Sequence, residues 1–325
     1  MTLRIVAGTA ARALAGRVAA ALGAGPAEPA VRRFPDGELR PAVGGVRGAD
    51  VYVLQSTGPP VNEHVVELLL LLDACRRAGA GRITAVVPYF GYARQDRRTR
   101  PGEAIGSQVV AGALAGAGAQ RLVVVDPHTP GLEAACPVPT EMITAVPVLA
   151  AALGERLPGD AVVVAPDLGA VKLAEHYATS LGRPVAVVRK TRLTGTSVVA
   201  EELVGDVRDR PAVMVDDMIS TGGTIEAAVN VLRSYGARPG VVVAAVHGVF
   251  AGPAAGRLAG CALGGLLVTD SVAQMDVASS GITSSGAAPI GGPPPAEVLS
   301  IAPLLADAIG RLHGDRPLDD LLMRA

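Results

Sequence analysis

Residues 213–229 read VMVDDMISTGGTIEAAV: an apolar strand, two carboxylates, a Ser/Thr/Gly turn, then a helical pattern. Gly222 and Gly223 permit a tight turn whose backbone N–H groups converge on an anion at a helix start. Ser220, Thr221 and Thr224 add hydroxyl donors. Asp216 and Asp217 repel a phosphate but accept hydrogen bonds from vicinal sugar hydroxyls. A phosphate cradle beside a diol clamp fits a sugar phosphate. The plainer alternative, an Asp-rich turn that caps the helix through Ser220 or Thr221, needs neither the paired Asp nor both Gly.

Other polar groups are suggestive rather than decisive. In Phe34-Pro35-Asp36-Gly37-Glu38 the ring can stack on a purine, with Asp36 and Glu38 bonding the base or its ribose. On residue types alone, a charged surface turn is the better reading. Arg94-Gln95-Asp96-Arg97-Arg98 offers three guanidinium groups within five residues, suited to a polyphosphate or equally to a solvated, charge-balanced loop. His128 and Asp167 follow apolar strands, where a lone His is ordinarily a structural hydrogen-bonder. Lys190 and Arg192 open RKTRLTGTS, which reads as a mobile loop. Only Lys172 and Lys190 are lysines among 29 basic residues, so an ammonium at 190 hints that arginine would not serve there. His64, His176 and His313 fall on expected helices and receive no role, and His247 is not taken as catalytic.

These residues need strand ends to hold them. Short β-branched runs (51–54, 83–87, 122–125, 161–165, 185–188, 212–215, 241–246 and 266–268) alternate with Ala/Leu-rich stretches of helical period. That alternation predicts an α/β fold of mainly parallel sheets flanked by helices. A strand ending in polar residues, a helix, and a second such strand occur in both halves, so two similar domains are expected, 1–145 and 146–325. In both, the polar residues stand at carboxyl ends of strands, where open α/β sheets bind ligands. Residues 271–296, rich in Ser, Gly and Pro, read as a mobile surface loop.

The whole chain sets the bounds. Its 325 residues suffice for two domains, and 29 basic against 30 acidic residues leave a net charge of −1. That balance gives no reason to expect a nucleic-acid or anionic-membrane partner. No apolar run reaches the roughly 18 residues a membrane span needs. Arg4, Arg12 and Arg17 break up the Ala-rich start that a signal peptide would need. Cys75, Cys136 and Cys261 form neither a metal spacing nor a disulfide framework, so a reducing, cytoplasmic compartment fits.

Residues 213–229 resemble the phosphoribosyl-pyrophosphate motif shared by type I phosphoribosyltransferases and ribose-phosphate pyrophosphokinases. Phe34–Glu38 and PYFGYARQDRR (88–98) resemble the ATP-binding segments of the pyrophosphokinases alone. The likeness continues through DPH (126–128), APDLG (165–169), RKTR (189–192), VHGVF (246–250) and APLLADAI (302–309). It implies two phosphoribosyltransferase-like domains, the first binding ATP and the second ribose 5-phosphate. The implied reaction moves the β,γ-diphosphoryl group of ATP to the sugar's 1-hydroxyl.

Carried over position by position, the resemblance assigns ATP to Phe34, Asp36, Gly37, Glu38, Arg94, Gln95, Asp96 and Arg97. It assigns ribose 5-phosphate to Asp216, Asp217, Ser220, Thr221, Gly222, Gly223 and Thr224. It gives Mg²⁺ to His128 and Asp167, and loop-borne catalysis to Lys190 and Arg192. It also implies a homo-oligomer, in which the 34–38 hairpin reaches a neighbouring subunit's ATP site. Three features depart from the usual bacterial pattern. Ser220 stands where many members have Asp and, together with GEAIGSQ (102–108) and AVHGVF (245–250), looks more like the archaeal type; 131–136 lacks the usual paired aromatics; and 271–296 looks longer than usual. The rival readings are a non-catalytic regulatory homologue and a phosphoribosyltransferase. The first would be expected to lose Lys190, Arg192, His128 or Asp167, and the second would not need the ATP segments.

Overall fold

The structure, a computed structural model, describes residues 1–27, 29–193, 198–273 and 295–323, without the side chains of 26–27, 190–193 and 198–201. The chain divides into two compact units. The first comprises Met1–Ala145, Ser271–Ala273 and the described part of Ser300–Ala325. The second comprises Val146–Asp270 and the described part of Gln274–Leu299.

The first unit is built on β1 (Leu3–Ala7), β2 (Pro26–Ala27), β5 (Asp50–Leu54), β6 (Arg82–Val87), β7 (Arg121–Val125) and β8 (Thr140–Ile143). They form one parallel sheet in the order β2-β1-β5-β6-β7-β8. Every residue of β5 is buried, as are five of six in β6. Strands covered on both faces are why the sequence shows unbroken apolar runs there instead of alternation. The covering helices include α1 (Arg12–Ala21), α2 (Val61–Arg77), α3 (Gly106–Ala117) and the short α4 (Gly131–Ala135). A separate antiparallel hairpin, β3 (Ala30–Arg33) with β4 (Leu39–Ala42), stands mostly exposed.

The second unit is built from α5 (Val146–Gly154), β9 (Val162–Ala165), α6 (Val171–Leu181), β10 (Val185–Leu193) and β11 (Val198–Val204). Then come β12 (Ala212–Ile219), α7 (Gly223–Ser234), β13 (Val242–Gly248), α8 (Ala254–Gly260), β14 (Gly265–Thr269) and β15 (Ala296–Leu299). The sheet order is β11-β10-β9-β12-β13-β14-β15, parallel except for β10 with β11. Setting β11 aside, the two orders are the same pattern. In each unit the first strand lies between the second and the third, and the later strands follow outward. Each unit has its own core, one centred on Leu68, Leu72, Val87 and Val124, the other on Val164, Met214, Leu232 and Val243.

Three expectations are revised. The segment 300–325, expected in the second domain, packs with the first unit through its helix α9 (Ala302–His313). There α9 lies against α1, burying Leu305, Ile309 and Leu312. The expected loop at 189–197 is strand as far as Leu193, because β11 returns antiparallel beside it and supplies the pairing. Of the expected 271–296 loop, 274–294 lie outside the described residues and Ala296 already belongs to β15.

Candidate active site

In the second unit the chain direction through the sheet reverses between β9 and β12, which lie side by side. Open α/β sheets bind ligands in the crevice beyond the carboxyl ends of such strands. Asp167 follows β9, and Ser220–Thr224 follow β12. Asp216 and Asp217 sit half-buried near the end of β12, after four buried residues. The structure thus gathers one of the two expected metal residues with every expected sugar-phosphate residue.

The turn after β12 leaves donors for a ligand. Gly222 precedes α7 with φ +75, a left-handed conformation that glycine adopts without strain. No side chain caps this helix, so the capping reading of Ser220 and Thr221 is not realised. The first-turn N–H groups of a helix have no acceptor within it, and they form a site for an anion. The turn is held from behind: the Val249 and Phe250 N–H groups donate to the Ile219 carbonyl, and the Ala251 N–H donates to the Ser220 carbonyl at 2.9 Å. Arg257, on α8, donates from Nη1 to the Thr221 carbonyl at 3.2 Å. Sequence reading passed over Arg257, which lies 36 residues from its partner.

The carboxylates are unequal. Burial, then the charges of Asp217 and Asp167, hold the Asp216 carboxyl well above its ordinary pKa. Asp216 Oδ1 accepts the Asp217 N–H at 2.9 Å. Asp167 Oδ1 accepts the N–H groups of Gly169 and Ala170, at 2.8 and 3.2 Å, which ties its carboxylate to the start of the turn into α6. Lys190 and Arg192 stand on β10, their backbones in register with Glu201 and Val199. Their side chains lie outside the described residues.

The expected ATP residues belong to the first unit. Phe34 to Glu38 form the turn of the exposed hairpin, closed by the Phe34 N–H on the Glu38 carbonyl at 2.8 Å. Asp36 Oδ1 accepts the Glu38 N–H, and Gly37 has φ +99. The Phe34 ring is 43% exposed, with the Arg40 guanidinium 5.8 Å from its centroid. One face is therefore backed by a cation while much of the ring is open to stack. Arg94, Gln95 and Arg97 are exposed in the loop after β6. That loop is anchored by the Ser107 N–H on the Gln95 carbonyl, while Asp96 lies 3.9 Å from Arg97. His128 is exposed after β7.

The same crevice in the first unit is occupied by the unit's own side chains. Ser56-Thr57-Gly58 stands after β5 as Ser220-Thr221-Gly222 stands after β12, but Pro59-Pro60 follow and offer no N–H. Gln55 Oε1 accepts the Ala10 N–H at 3.0 Å, and Glu67 accepts both the Thr9 N–H and its hydroxyl. The sugar-phosphate pattern is therefore open in one unit and closed in the other.

Among the described residues no three His, Cys, Asp or Glu side chains gather into a metal-holding group, and no helix is long and apolar enough to cross a membrane.

Comparison with known proteins agrees with this layout. A family model described as the N-terminal domain of ribose phosphate pyrophosphokinase matches residues 3–118, and a phosphoribosyl transferase domain model matches 150–270. The ribose-phosphate pyrophosphokinase of Clostridium perfringens is 37% identical over 325 residues, covering 98% of this chain and 97% of that protein. That of Corynebacterium glutamicum is 42% identical over 271 residues, covering 82% and 79%. The crystal structure of phosphoribosylpyrophosphate synthetase from Mycobacterium smegmatis superposes with a TM-score of 0.86 at 38% identity, covering 97% of this chain and all of that one.

Proposed function

The chain belongs to the ribose-phosphate pyrophosphokinase family, and from that premise we propose how its residues divide the reaction. The protein makes 5-phosphoribosyl 1-pyrophosphate and AMP from ATP and ribose 5-phosphate. The observation that carries the assignment of the sugar site is the uncapped turn after β12, with Asp216 and Asp217 beside it.

The N–H groups and hydroxyls of Ser220, Thr221, Gly222, Gly223 and Thr224 bind the 5-phosphate. Asp216 and Asp217 accept from the ribose hydroxyls, fixing the sugar so that its 1-hydroxyl meets the β-phosphorus in line. Adenine stacks on Phe34, with Asp36, Gly37 and Glu38 at its edge. Arg94, Gln95, Asp96 and Arg97 hold the ATP. Lys190 and Arg192 stabilise charge that develops on the phosphoryl oxygens.

A hard divalent cation fits the donor set around β9 and β12. Asp217 and Asp167 both act on Asp216 there, which is raised in part by their charge, a repulsion that a cation relieves. Mg²⁺ takes one or two carboxylates together with phosphates and water, so it does not require a three-residue cluster, and none stands among the described residues. Asp167 would hold it there, and it would neutralise the triphosphate oxygens; the assignment of His128, which belongs to the first unit, rests on the resemblance alone. An exposed Phe34 on a projecting hairpin supports a homo-oligomer in which the ring serves a neighbouring copy.

The experiment is AMP release by the purified protein with ATP, Mg²⁺ and ribose 5-phosphate, with phosphorus NMR of the sugar product. A 1-pyrophosphorylated sugar in step with AMP is expected. Lys190→Ala should lower kcat by at least about a hundredfold, the scale of losing one transition-state charge contact. Normal turnover by that variant would remove Lys190 from the mechanism.

A further inference from the structure

We propose that Arg257 is a positioning residue for the 5-phosphate, setting the turn after β12 in its anion-binding orientation. The proposal deepens the reading of that turn as the ribose 5-phosphate site and rests on it.

In a trans peptide the C=O and the following N–H point in opposite directions. Arg257 Nη1 bonds the Thr221 carbonyl at 3.2 Å. Pinning that oxygen toward α8 turns the Gly222 N–H away from α8. The same bond keeps a carbonyl dipole from facing a bound dianion. The contact is built into the loop: a Cβ on Gly223 would lie 3.0 Å from Arg257 Nη1, and one on Gly222 would touch the Ala254 carbonyl and the Arg257 Cβ at 3.6 Å. The glycines thus serve the guanidinium's approach as well as the turn itself.

The charge has a second effect. Glu226, in the first turn of α7, is a carboxylate near a site for an anion. Arg257 Nε lies 3.6 Å from Glu226 Oε2. The pair offsets a repulsion that the phosphate would otherwise meet. Both effects act on binding of the ground state, so they predict a raised KM with little change in kcat.

The test is steady-state kinetics of full-length Arg257→Met and Arg257→Lys. Arg257→Met should raise the KM for ribose 5-phosphate about tenfold or more. Its KM for ATP and its kcat should stay within about threefold. Arg257→Lys keeps the charge but not the planar fork, and should recover part of that loss. If Arg257→Met does not fold, Arg257→Lys alone carries the test, with a rise of about threefold to tenfold confined to the sugar. An unchanged KM for ribose 5-phosphate, or an equal rise for both substrates, would overturn the role of Arg257. A wild-type protein that forms no sugar pyrophosphate would instead overturn the reading beneath it.

Discussion

Asp216 lies beside Asp217 and within the electrostatic reach of Asp167, and burial adds to their repulsion. A carboxyl whose pKa rises on folding destabilises the fold as it ionises. The penalty is absent below its ordinary value of 3.8 and grows as the pH climbs from there toward the folded pKa. Asp216→Asn removes the charge and keeps an oxygen for the Asp217 N–H. It should raise the melting temperature of the unliganded protein at neutral pH by about 2–4 °C, the scale of about 1 kcal/mol for a unit of this size. The gain should shrink as the pH falls to about 4, while kcat/KM drops at least about tenfold. Calorimetry across pH checks the first part; a gain that grows in acid would show the wrong sign. At this scale the sequence was most informative where the ligand residues are contiguous. Asp216 to Thr224 span one strand end and one turn, so their types and order suffice. Arg257 was invisible, because its place beside Thr221 exists only once α8 has folded against the turn.

Elements were legible in proportion to their burial. The runs 51–54 and 83–87 are almost wholly apolar because both faces of the sheet are covered, and they sit within β5 and β6. The strands β3 and β4 went unrecognised because each has only four residues and they are mostly exposed, too short for a hydrophobic period to mark them. The strand character of 189–193 was hidden by its charged residues; backbone pairing with β11 defines it. The hairpin is where an element-level prediction belongs. Its turn is held by backbone bonds among Phe34, Gly37 and Glu38, so Phe34→Ala leaves the framework intact. Aromatic stacking on a base contributes about 1–3 kcal/mol. Phe34→Ala should therefore raise the KM for ATP by about fivefold to a hundredfold, with the KM for ribose 5-phosphate little changed. Equal changes in both constants would deny the ring its adenine.

The molecule as a whole repeats one strand order in two units and uses the repeat unequally. Gln55 and Glu67 fill the first unit's crevice, while the second keeps an open turn. The sequence showed the repeat, because strand-end polar residues recur in both halves. It could not show that the chain's last helix belongs with the first unit. Beside the packing of that helix on α1, the association has a polar anchor at Asp50, buried at the start of β5. Arg82 donates to it twice, at 2.8 and 2.6 Å. Tyr52 donates at 3.2 Å, and His313 Nδ1 lies 2.7 Å away. Burial pushes the Asp50 carboxyl up, but the bonds from Arg82 and His313 outweigh it and leave it lowered. Its contribution is therefore present above 3.8 and lost as the pH falls through the depressed folded value. His313→Ala should cost about 1 kcal/mol by removing one of the three donors to the buried Asp50 Oδ2. Denaturant unfolding at pH 7 and pH 3 checks this: the variant's deficit should narrow at pH 3, and an equal deficit at both would show that packing alone is at stake.

Asp50 and His313 are 263 residues apart. A ribosome adding about 5–20 residues per second makes the first and delivers the second roughly ten to fifty seconds later. From the completion of β8 at Ile143 onward, the nascent first unit has its sheet strands but not the helix that covers α1. The α1 face that α9 covers is open to chaperones until α9 has been made. A ribosome that stops before residue 302 therefore releases a first unit without its last helix, however well the preceding residues have folded.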